Sequence, residues 1–189
     1  MRIVAGAWRG RALTAPPGEA TRPTSDRARQ ALFDVLMHAP WGGREWLEQA
    51  VVLDAFAGTG ALALEALSRG AVRAVCLERD AGALAALRAN IAACGATESC
   101  TVRRADALRP PPGVPCALVF LDPPYGQGLV PRAVAALRQA GWLGPPGILV
   151  AETGRGEELP DLGTKLADRI HGAARITIWQ TAGEADALA

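Results

Sequence analysis

The most distinctive residues of this chain form the tetrapeptide Asp122-Pro123-Pro124-Tyr125, which follows a run of apolar residues. The two prolines fix the backbone and remove two N–H donors, so the segment presents a carboxylate, carbonyl acceptors and an aromatic ring. Asp122 and the carbonyl of Pro123 could each accept one hydrogen of an exocyclic amine and aim its nitrogen lone pair at an electrophile. Tyr125 could stack on a flat base that carries the amine. The tetrapeptide therefore predicts a receptor for an amine on a nucleobase.

A second segment combines an acid with a glycine turn. Gly58 and Gly60 follow Asp54 and allow a tight turn at which a ligand can approach the backbone closely. Glu78 lies about 20 residues further on, where a carboxylate could hold ribose hydroxyls. Asp54 would repel a phosphate, but it suits a positively charged ligand such as the amino group and sulfonium of S-adenosylmethionine. The turn alone fits any dinucleotide-like ligand, and the acid favours S-adenosylmethionine.

The elements around these residues alternate between apolar strands and helices. This pattern predicts an α/β fold with a mostly parallel sheet and helices on both faces. Ligands bind at the carboxyl ends of such strands, where four acids fall, namely Asp54, Glu78, Asp106 and Asp122. Asp106 could accept a hydrogen bond from an adenine amine, or it could cap a helix or lie in a surface loop. We predict seven strands over residues 51–56, 73–78, 100–104, 116–121, 147–152, 164–170 and 174–180, and helices over 60–69, 81–94 and 130–140.

The N-terminal 44 residues differ from the rest in charge and pattern. Two strand-like runs, Arg2–Ala5 and Arg11–Thr14, predict a small hairpin, and Thr24 or Ser25 can cap a helix that continues to about residue 38. This arm contains seven arginines and three acids, a net charge of +4, so the remainder carries −3. A basic arm indicates contact with a polyanion. The alternative is that these arginines form a solvated charged surface without a partner. Judged from the charge alone, this alternative is favoured.

Length and composition limit the class of protein. At about 150 residues per domain, the chain of 189 residues predicts an arm of residues 1–44, a main domain of residues 45–181 and a loose tail of residues 182–189. Half of the residues are hydrophobic and 21% are charged, which excludes wholesale disorder. No apolar run reaches the ~18 residues that span a bilayer, and no signal-peptide segment follows Met1. We therefore expect a cytoplasmic, soluble monomer without membrane contact.

The cysteines and histidines do not have the spacing of a metal site. No two of the four cysteines are separated by the two residues of a zinc or redox motif, and the chain has only two histidines. We therefore interpret Cys76, Cys94, Cys100 and Cys116 as buried, reduced thiols and predict no metal cofactor.

Several motifs outside the two segments carry a family resemblance. They are Arg2-Ile3-Val4-Ala5-Gly6 with Trp8-Arg9-Gly10-Arg11 and Leu13, Arg22-Pro23-Thr24 with Asp26-Arg27, and Leu67-Ser68-Arg69-Gly70-Ala71. With these motifs, residues 1–180 resemble the RsmD family of bacterial ribosomal RNA guanine-N2 methyltransferases. The body, residues 50–152, resembles class I methyltransferases that use S-adenosylmethionine. The chain departs from the family at Gln30, where an acid is common, and at Thr59, where serine is common.

The resemblance implies a Rossmann-like class I methyltransferase fold and methyl transfer from S-adenosylmethionine to the N2 amine of guanine 966 in 16S rRNA, on the assembling small ribosomal subunit. It implies that the cofactor is bound by Asp54, Gly58, Gly60, Glu78, Asp106 and Thr24. It also implies that Asp122, Pro123 and Tyr125 are catalytic. RNA contacts are implied for Arg9, Arg11, Arg22 and Arg29.

Three other readings remain open from the residues. The fold could serve a nicotinamide-dependent oxidoreductase, although Asp54 and the tetrapeptide argue against it. The chain could be a methyltransferase that acts on adenine N6 or on a protein amide, although amide enzymes usually carry Asn at the position of Asp122 and DNA enzymes usually add a recognition domain. A catalytically inactive RNA-binding module is the third reading, which the intact tetrapeptide disfavours.

Overall fold

A computed structural model of the chain describes residues 1–16 and 25–181, without the side chain of residue 145. Arg22, Thr24 and the tail of residues 182–189 lie outside the described residues. Internal contacts divide the chain into two compact units, Met1–Arg104 and Ala105–Ala189. Residues 1–44, the predicted arm, fall in the same unit as the first three strands. None of the described helices is long and apolar enough to cross a membrane.

The described residues of the first unit form four helices and three parallel strands. In chain order these are α1 (Asp26–His38), α2 (Arg44–Glu48), β1 (Val51–Asp54), α3 (Ala61–Ser68), β2 (Arg73–Glu78), α4 (Ala81–Cys94) and β3 (Cys100–Arg104). β2 lies between β1 and β3 and pairs in parallel with both. The Ser25 side chain accepts a hydrogen bond from the Ala28 N–H at 3.1 Å and so caps α1, as predicted. Helix α3 packs on β1 and β2, and α4 packs on β3.

The second unit contains four strands and one helix. They are β4 (Cys116–Leu121), α5 (Leu129–Gln139), β5 (Leu143–Gly154), β6 (Thr164–His171) and β7 (Ala174–Gln180). β4 and β5 are parallel, whereas β7 is antiparallel to both β5 and β6. The described residues thus contain seven strands, and three of the five pairs within the units are parallel. The predicted α/β class with mostly parallel strands is confirmed.

The arm is attached to α3 by two buried polar side chains. Glu65 is fully buried, and its carboxylate accepts hydrogen bonds from the N–H groups of Val4 at 2.8 Å and Ala5 at 3.0 Å. One helical turn later, the Ser68 hydroxyl donates to the carbonyl of Ala5 at 2.6 Å and accepts from the Trp8 N–H at 3.0 Å. These contacts hold the arm within the first unit.

The same contacts reduce the predicted hairpin. Only Arg2 and Ala12 form a β-bridge, flanked by a bond of 2.9 Å from the Ile3 N–H to the Arg11 carbonyl. The run Arg2–Ala5 is therefore not a full strand, because its last two N–H groups donate to α3 instead. Gly6 is required at the contact, since its φ is +81° and a Cβ there would lie 1.8 Å from the carbonyl oxygen of Ser68.

Candidate functional site

Asp54 ends β1 and has only 1% of its surface exposed. Its Oδ2 accepts a hydrogen bond from the Ala63 N–H at 3.3 Å, whereas its buried Oδ1 has no hydrogen-bond partner among the described residues. The pKa of Asp54 is raised to about 7, mainly by burial and also by the charge of Glu78, whereas backbone hydrogen bonds from Ala63 and Phe56 oppose the rise. A buried acceptor without a donor is costly unless a ligand supplies one. The ammonium group of a ligand would supply both a hydrogen and a compensating charge.

The glycine turn after β1 places backbone next to open space. The Ala57 N–H donates to the Leu77 carbonyl at 3.0 Å, which joins the turn to β2. Gly58 has a φ of +51°, and a Cβ built on it would meet no atom within 4 Å. Gly60 has a φ of +80°, and a Cβ there would lie 2.4 Å from Leu87 Cδ1. Gly60 is thus needed for packing, whereas Gly58 leaves room for a ligand beside the backbone.

Glu78 is tied to the turn and to the chain that follows β2. Its Oε2 accepts from the Gly58 N–H at 2.8 Å, and its Oε1 accepts from the N–H groups of Arg79 at 2.7 Å and Asp80 at 2.8 Å. A carboxylate has about four acceptor sites, so Oε2 retains capacity for a further donor. The structure therefore brings Asp54, Gly58, Gly60 and Glu78 together as one group, with Glu78 oriented by three backbone donors.

Sequence reasoning missed Asn90, which links the arm to the glycine turn. Asn90 lies on α4 and is 1% exposed. Its amide donates to the carbonyls of Thr14 and Thr59, each at 3.0 Å, and its Oδ1 accepts from the Thr14 N–H at 2.8 Å. Pro16 is buried beside the first turn of α4, 4.0 Å from where a Cβ on Gly82 would lie. Asn90 thus holds the arm along α4, toward the helix end that follows Glu78.

The arginines predicted to contact RNA differ in exposure. Arg9 and Arg11 are exposed on the arm, and Arg11 Nη1 also donates to the carbonyl of Ala93. Arg29 has no exposed surface. Its Nη2 lies 2.8 Å from Asp26 Oδ1 and also donates to the carbonyl of Arg2. Because its guanidinium is enclosed, Arg29 braces the arm in this structure, and we remove it from the proposed RNA contacts. Arg22 lies outside the described residues.

The tetrapeptide lies in the second unit, directly after β4. Pro123 is buried, and Asp122 and Tyr125 are half-buried. The Tyr125 hydroxyl donates to Glu152 Oε1 at 2.5 Å, and the Tyr125 ring packs 3.6 Å from where a Cβ on Gly154 would lie. Both partners belong to the end of β5. The structure therefore brings Asp122, Pro123 and Tyr125 together and holds the aromatic ring against the neighbouring strand.

Asp106 also belongs to the second unit, in the segment between β3 and β4. Its Oδ1 accepts a hydrogen bond from the Leu108 N–H at 2.9 Å, and its carbonyl accepts from the Arg109 N–H at 2.9 Å. This is the turn-capping arrangement that the sequence left as the alternative. A role toward an adenine amine stays a prediction.

The cysteines take no part in either group. All four are free thiols and are buried, in agreement with the interpretation from the sequence. Cys76 and Cys100 lie on neighbouring strands with their sulfur atoms 3.7 Å apart. Among the described residues, no group of three or more His, Cys, Asp or Glu side chains is placed to hold a metal ion.

Comparisons with known proteins agree with these features over nearly the full chain. A family model described as "Conserved hypothetical protein 95" matches residues 1–180. Two curated relatives are each 34% identical and are named "Ribosomal RNA small subunit methyltransferase D". The relative from Haemophilus influenzae aligns over 95% of this chain and 93% of its own length. The relative from Escherichia coli K12 aligns over 99% of this chain and 94% of its own length.

A solved structure shows the same fold. It is described as a putative methyltransferase, yhhF, from Escherichia coli, and it superposes with a TM-score of 0.83 at 32% identity. The superposition covers 97% of this chain and 99% of that one. This likeness confirms the methyltransferase-like α/β fold that the sequence predicted.

Proposed function

The chain belongs to the RsmD family of ribosomal RNA small subunit methyltransferases, and from this premise we propose that it transfers a methyl group from S-adenosylmethionine to the N2 amine of a guanine in 16S rRNA. The observation that carries the proposal is the tetrapeptide of residues 122–125 at the carboxyl end of β4, held in place by the bond from Tyr125 to Glu152. The segment offers the acceptors and the aromatic surface that an amine on a nucleobase requires.

The group at the glycine turn would hold the cofactor, which supplies an electrophilic methyl group on a sulfonium. Asp54 Oδ1 would accept a hydrogen from the cofactor's ammonium, which removes the cost of that buried acceptor. The open space at Gly58 would admit the cofactor beside the backbone. Glu78 Oε2 would accept from a ribose hydroxyl. Asp106 would accept from the adenine amine.

The tetrapeptide would prepare the acceptor nitrogen. Asp122 and the Pro123 carbonyl would each accept one hydrogen of the amine, which draws the nitrogen lone pair out of conjugation with the base and aims it at the methyl group. A base within a stack is out of reach, so the target guanine would be extruded and would stack on Tyr125. The new N–C bond would form as the S–C bond breaks. The nitrogen would then lose one proton to Asp122 or to water.

The family resemblance extends the proposal to the substrate. We propose guanine 966 on the assembling small subunit as the target, with phosphate contacts from Arg9, Arg11 and Arg22. Thr24, in the segment that matches the family between residues 22 and 27, would complete the cofactor contacts. Arg9 and Arg11 are exposed on an arm whose backbone is hydrogen-bonded to α3 and α4, so their charges are available to a phosphate.

A methyl-transfer assay with labelled S-adenosylmethionine tests the proposal. The acceptors are unmethylated small subunits, naked 16S rRNA, DNA and a protein extract. We expect label on a guanine N2 amine of 16S rRNA and a loss of about 100-fold or more in kcat for Asp122→Ala. Val114→Ala, at an exposed position of the same unit, is the control for handling and folding. Label confined to DNA or protein would overturn the rRNA substrate, and label on rRNA that Asp122→Ala does not reduce would overturn the catalytic role.

A further inference from the structure

Glu152 stands beside the tetrapeptide by the register of the sheet. In the parallel pair of β4 and β5, Leu121 is opposite Ala151. Asp122 is the first residue after β4, and by this register it stands next to Glu152, which lies two residues before the end of β5. Neighbouring strands are about 4.8 Å apart, and residues in the same register point to the same face of the sheet. The register therefore places the two acidic residues on one face near this edge of the sheet.

The carboxylate of Glu152 is buried and oriented. The residue is 6% exposed, and Oε1 accepts the Tyr125 hydroxyl at 2.5 Å. Its strand is paired on both sides, with β4 and with β7, so the backbone that carries Glu152 has little freedom. A carboxylate has about four acceptor sites, so the bond from Tyr125 does not by itself prevent Glu152 from accepting a hydrogen from a ligand.

We propose that Glu152 is a specificity-determining residue that accepts the N1–H of the target guanine. This inference rests on the proposed function. The Watson–Crick edge of guanine carries two adjacent donors, the N2 amine and N1–H, and two neighbouring carboxylates match them. Asp122 takes the amine, and Glu152 takes N1–H. A base with an unprotonated N1 would place a lone pair against the buried carboxylate. Such a base would bind poorly, because N1 and the carboxylate would both lack a hydrogen-bond donor.

The base 2,6-diaminopurine separates this role from a general contribution to activity. It carries the same N2 amine as guanine, but its N1 is an acceptor. The experiment uses substrate RNA with guanine or 2,6-diaminopurine at the methylated position and compares kcat/KM on the two. The variant Glu152→Gln keeps an oxygen for the Tyr125 hydroxyl and gains N–H donors that suit an unprotonated N1. Glu157→Gln is the matched control, since Glu157 accepts the Gly126 N–H at 3.0 Å in the same region.

We expect the native chain to prefer guanine, and Glu152→Gln to reduce the ratio of the two kcat/KM values by about 10- to 100-fold. Tyr125→Phe and Glu157→Gln should leave that ratio within about twofold. An equal fractional loss on both bases in Glu152→Gln would show that Glu152 only positions Tyr125 and would overturn the inference. A native chain that methylates the two bases equally would overturn it without any variant. A native chain that methylates neither base would overturn the proposed function itself.

Discussion

Asp54 is an acid whose burial opposes its own ionisation. A carboxylate that loses its water without gaining full hydrogen bonding is destabilising, and this shows as a pKa raised to about 7 by burial. The Ala63 N–H donates to Oδ2 at 3.3 Å, and Oδ1 has no hydrogen-bond partner among the described residues. Such a cost at a strand end is typical of a residue that a ligand completes. The buried acid therefore lowers the stability of the ligand-free protein and increases the affinity for a cationic ligand.

The raised pKa of Asp54 makes stability depend on pH. The folded state holds the proton more tightly than the unfolded state, so the contribution of Asp54 is present below about pH 4 and is lost as pH rises through about 7. Asp54→Asn removes this term. We therefore expect the ligand-free variant to gain Tm relative to the native chain as pH rises from 5 to 8. Thermal unfolding at several pH values measures this, and a Tm difference that does not change with pH would contradict the raised pKa.

Substitutions of the two glycines in the turn should have different effects, one mainly on stability and the other on cofactor binding. Gly60→Ala should lower the free energy of unfolding by more than the ~1–2 kcal/mol that a left-handed residue costs, because its Cβ would also clash with Leu87. Gly58→Ala should cost about that amount alone but should weaken S-adenosylmethionine binding, since its Cβ would enter the open space. Chemical denaturation and calorimetric titration separate the two effects. Equal stability losses for both variants would show that Leu87 moves aside without cost.

At the scale of elements, the arm is held by polar side chains that project from two helices. Glu65 and Ser68 of α3 form hydrogen bonds with the backbone of residues 4–8, and Asn90 of α4 does so with the backbone of residue 14. The Arg69 Nε–H also donates a hydrogen bond to Glu65 Oε1 at 2.8 Å. A buried polar group is stabilising only when its bonds are satisfied, so this network fixes one position for the arm. It explains why the motif of residues 67–71 accompanies an N-terminal arm.

Asn90 offers a direct test of that attachment. Asn90→Asp replaces two N–H donors by a carboxylate that faces the carbonyls of Thr14 and Thr59, so a loss of about 1–3 kcal/mol of stability is expected. The Thr14 amide should also exchange its hydrogen faster, because its acceptor is disturbed. Thr14→Ala is the control, since Asn90 contacts only the backbone of Thr14. Unchanged hydrogen exchange at residue 14 in Asn90→Asp would show that other contacts hold the arm.

The bounds of several strands and helices could be predicted from the sequence. The predicted bounds of β2, β3, β4, α4 and β7 are those of the structure. β2, β4 and α4 are apolar runs that end at an acid or a glycine, namely Glu78, Asp122 and Gly95. The five-residue helix α2 was missed, since so short a segment carries no periodicity. The early start of β5 at Leu143 was also missed, because the Gly144-Pro145-Pro146-Gly147 segment is typical of a turn rather than a strand.

The functional side chains were predictable only where a residue of suitable chemical type followed a predicted strand. Asp54, Gly58 and Glu78 follow from strand ends, and the structure groups them. Arg29 was predicted to contact RNA, although its spacing from Leu32, Phe33 and Leu36 places it on the buried face of α1. Glu65 and Asn90 are polar residues within largely buried helices, which was a visible signal of a buried contact. Their partners were not predictable, because they are backbone groups about 60 to 76 residues away in sequence.

At the scale of the whole molecule, positive charge is concentrated at the N-terminal end. Residues 1–44 carry +4 and the rest of the chain −3, so a net charge of +1 conceals a strong asymmetry. Of the arm's arginines, Arg9 is exposed and Arg29 is enclosed, so only part of the formal charge is available to a phosphate. The asymmetry favours an encounter in which the arm faces a polyanion first.

The contribution of Arg9 to that encounter is measurable from salt dependence. If Arg9 contacts one phosphate, Arg9→Ala should reduce the slope of log affinity against log salt by about 0.7 for single-stranded RNA. Arg44→Ala is the matched control, because its side chain is 72% exposed on α2 and pairs only loosely with Glu48 at 3.7 Å. Filter binding between ~50 and 200 mM salt provides the measurement. An identical slope for Arg9→Ala and the native chain would exclude a phosphate contact by Arg9.

The attachment of the arm to α3 and α4 also sets an order of events during translation. Residues 4–14 leave the ribosome long before Glu65, Ser68 and Asn90, which are about 60 to 76 residues later. At roughly 5–20 residues per second, the nascent arm waits several seconds for the helices that receive it. During that interval its backbone donors and its positive charge are unpaired. Since Asn90 also bonds to Thr59, the glycine turn reaches its final form only after α4 has been synthesised.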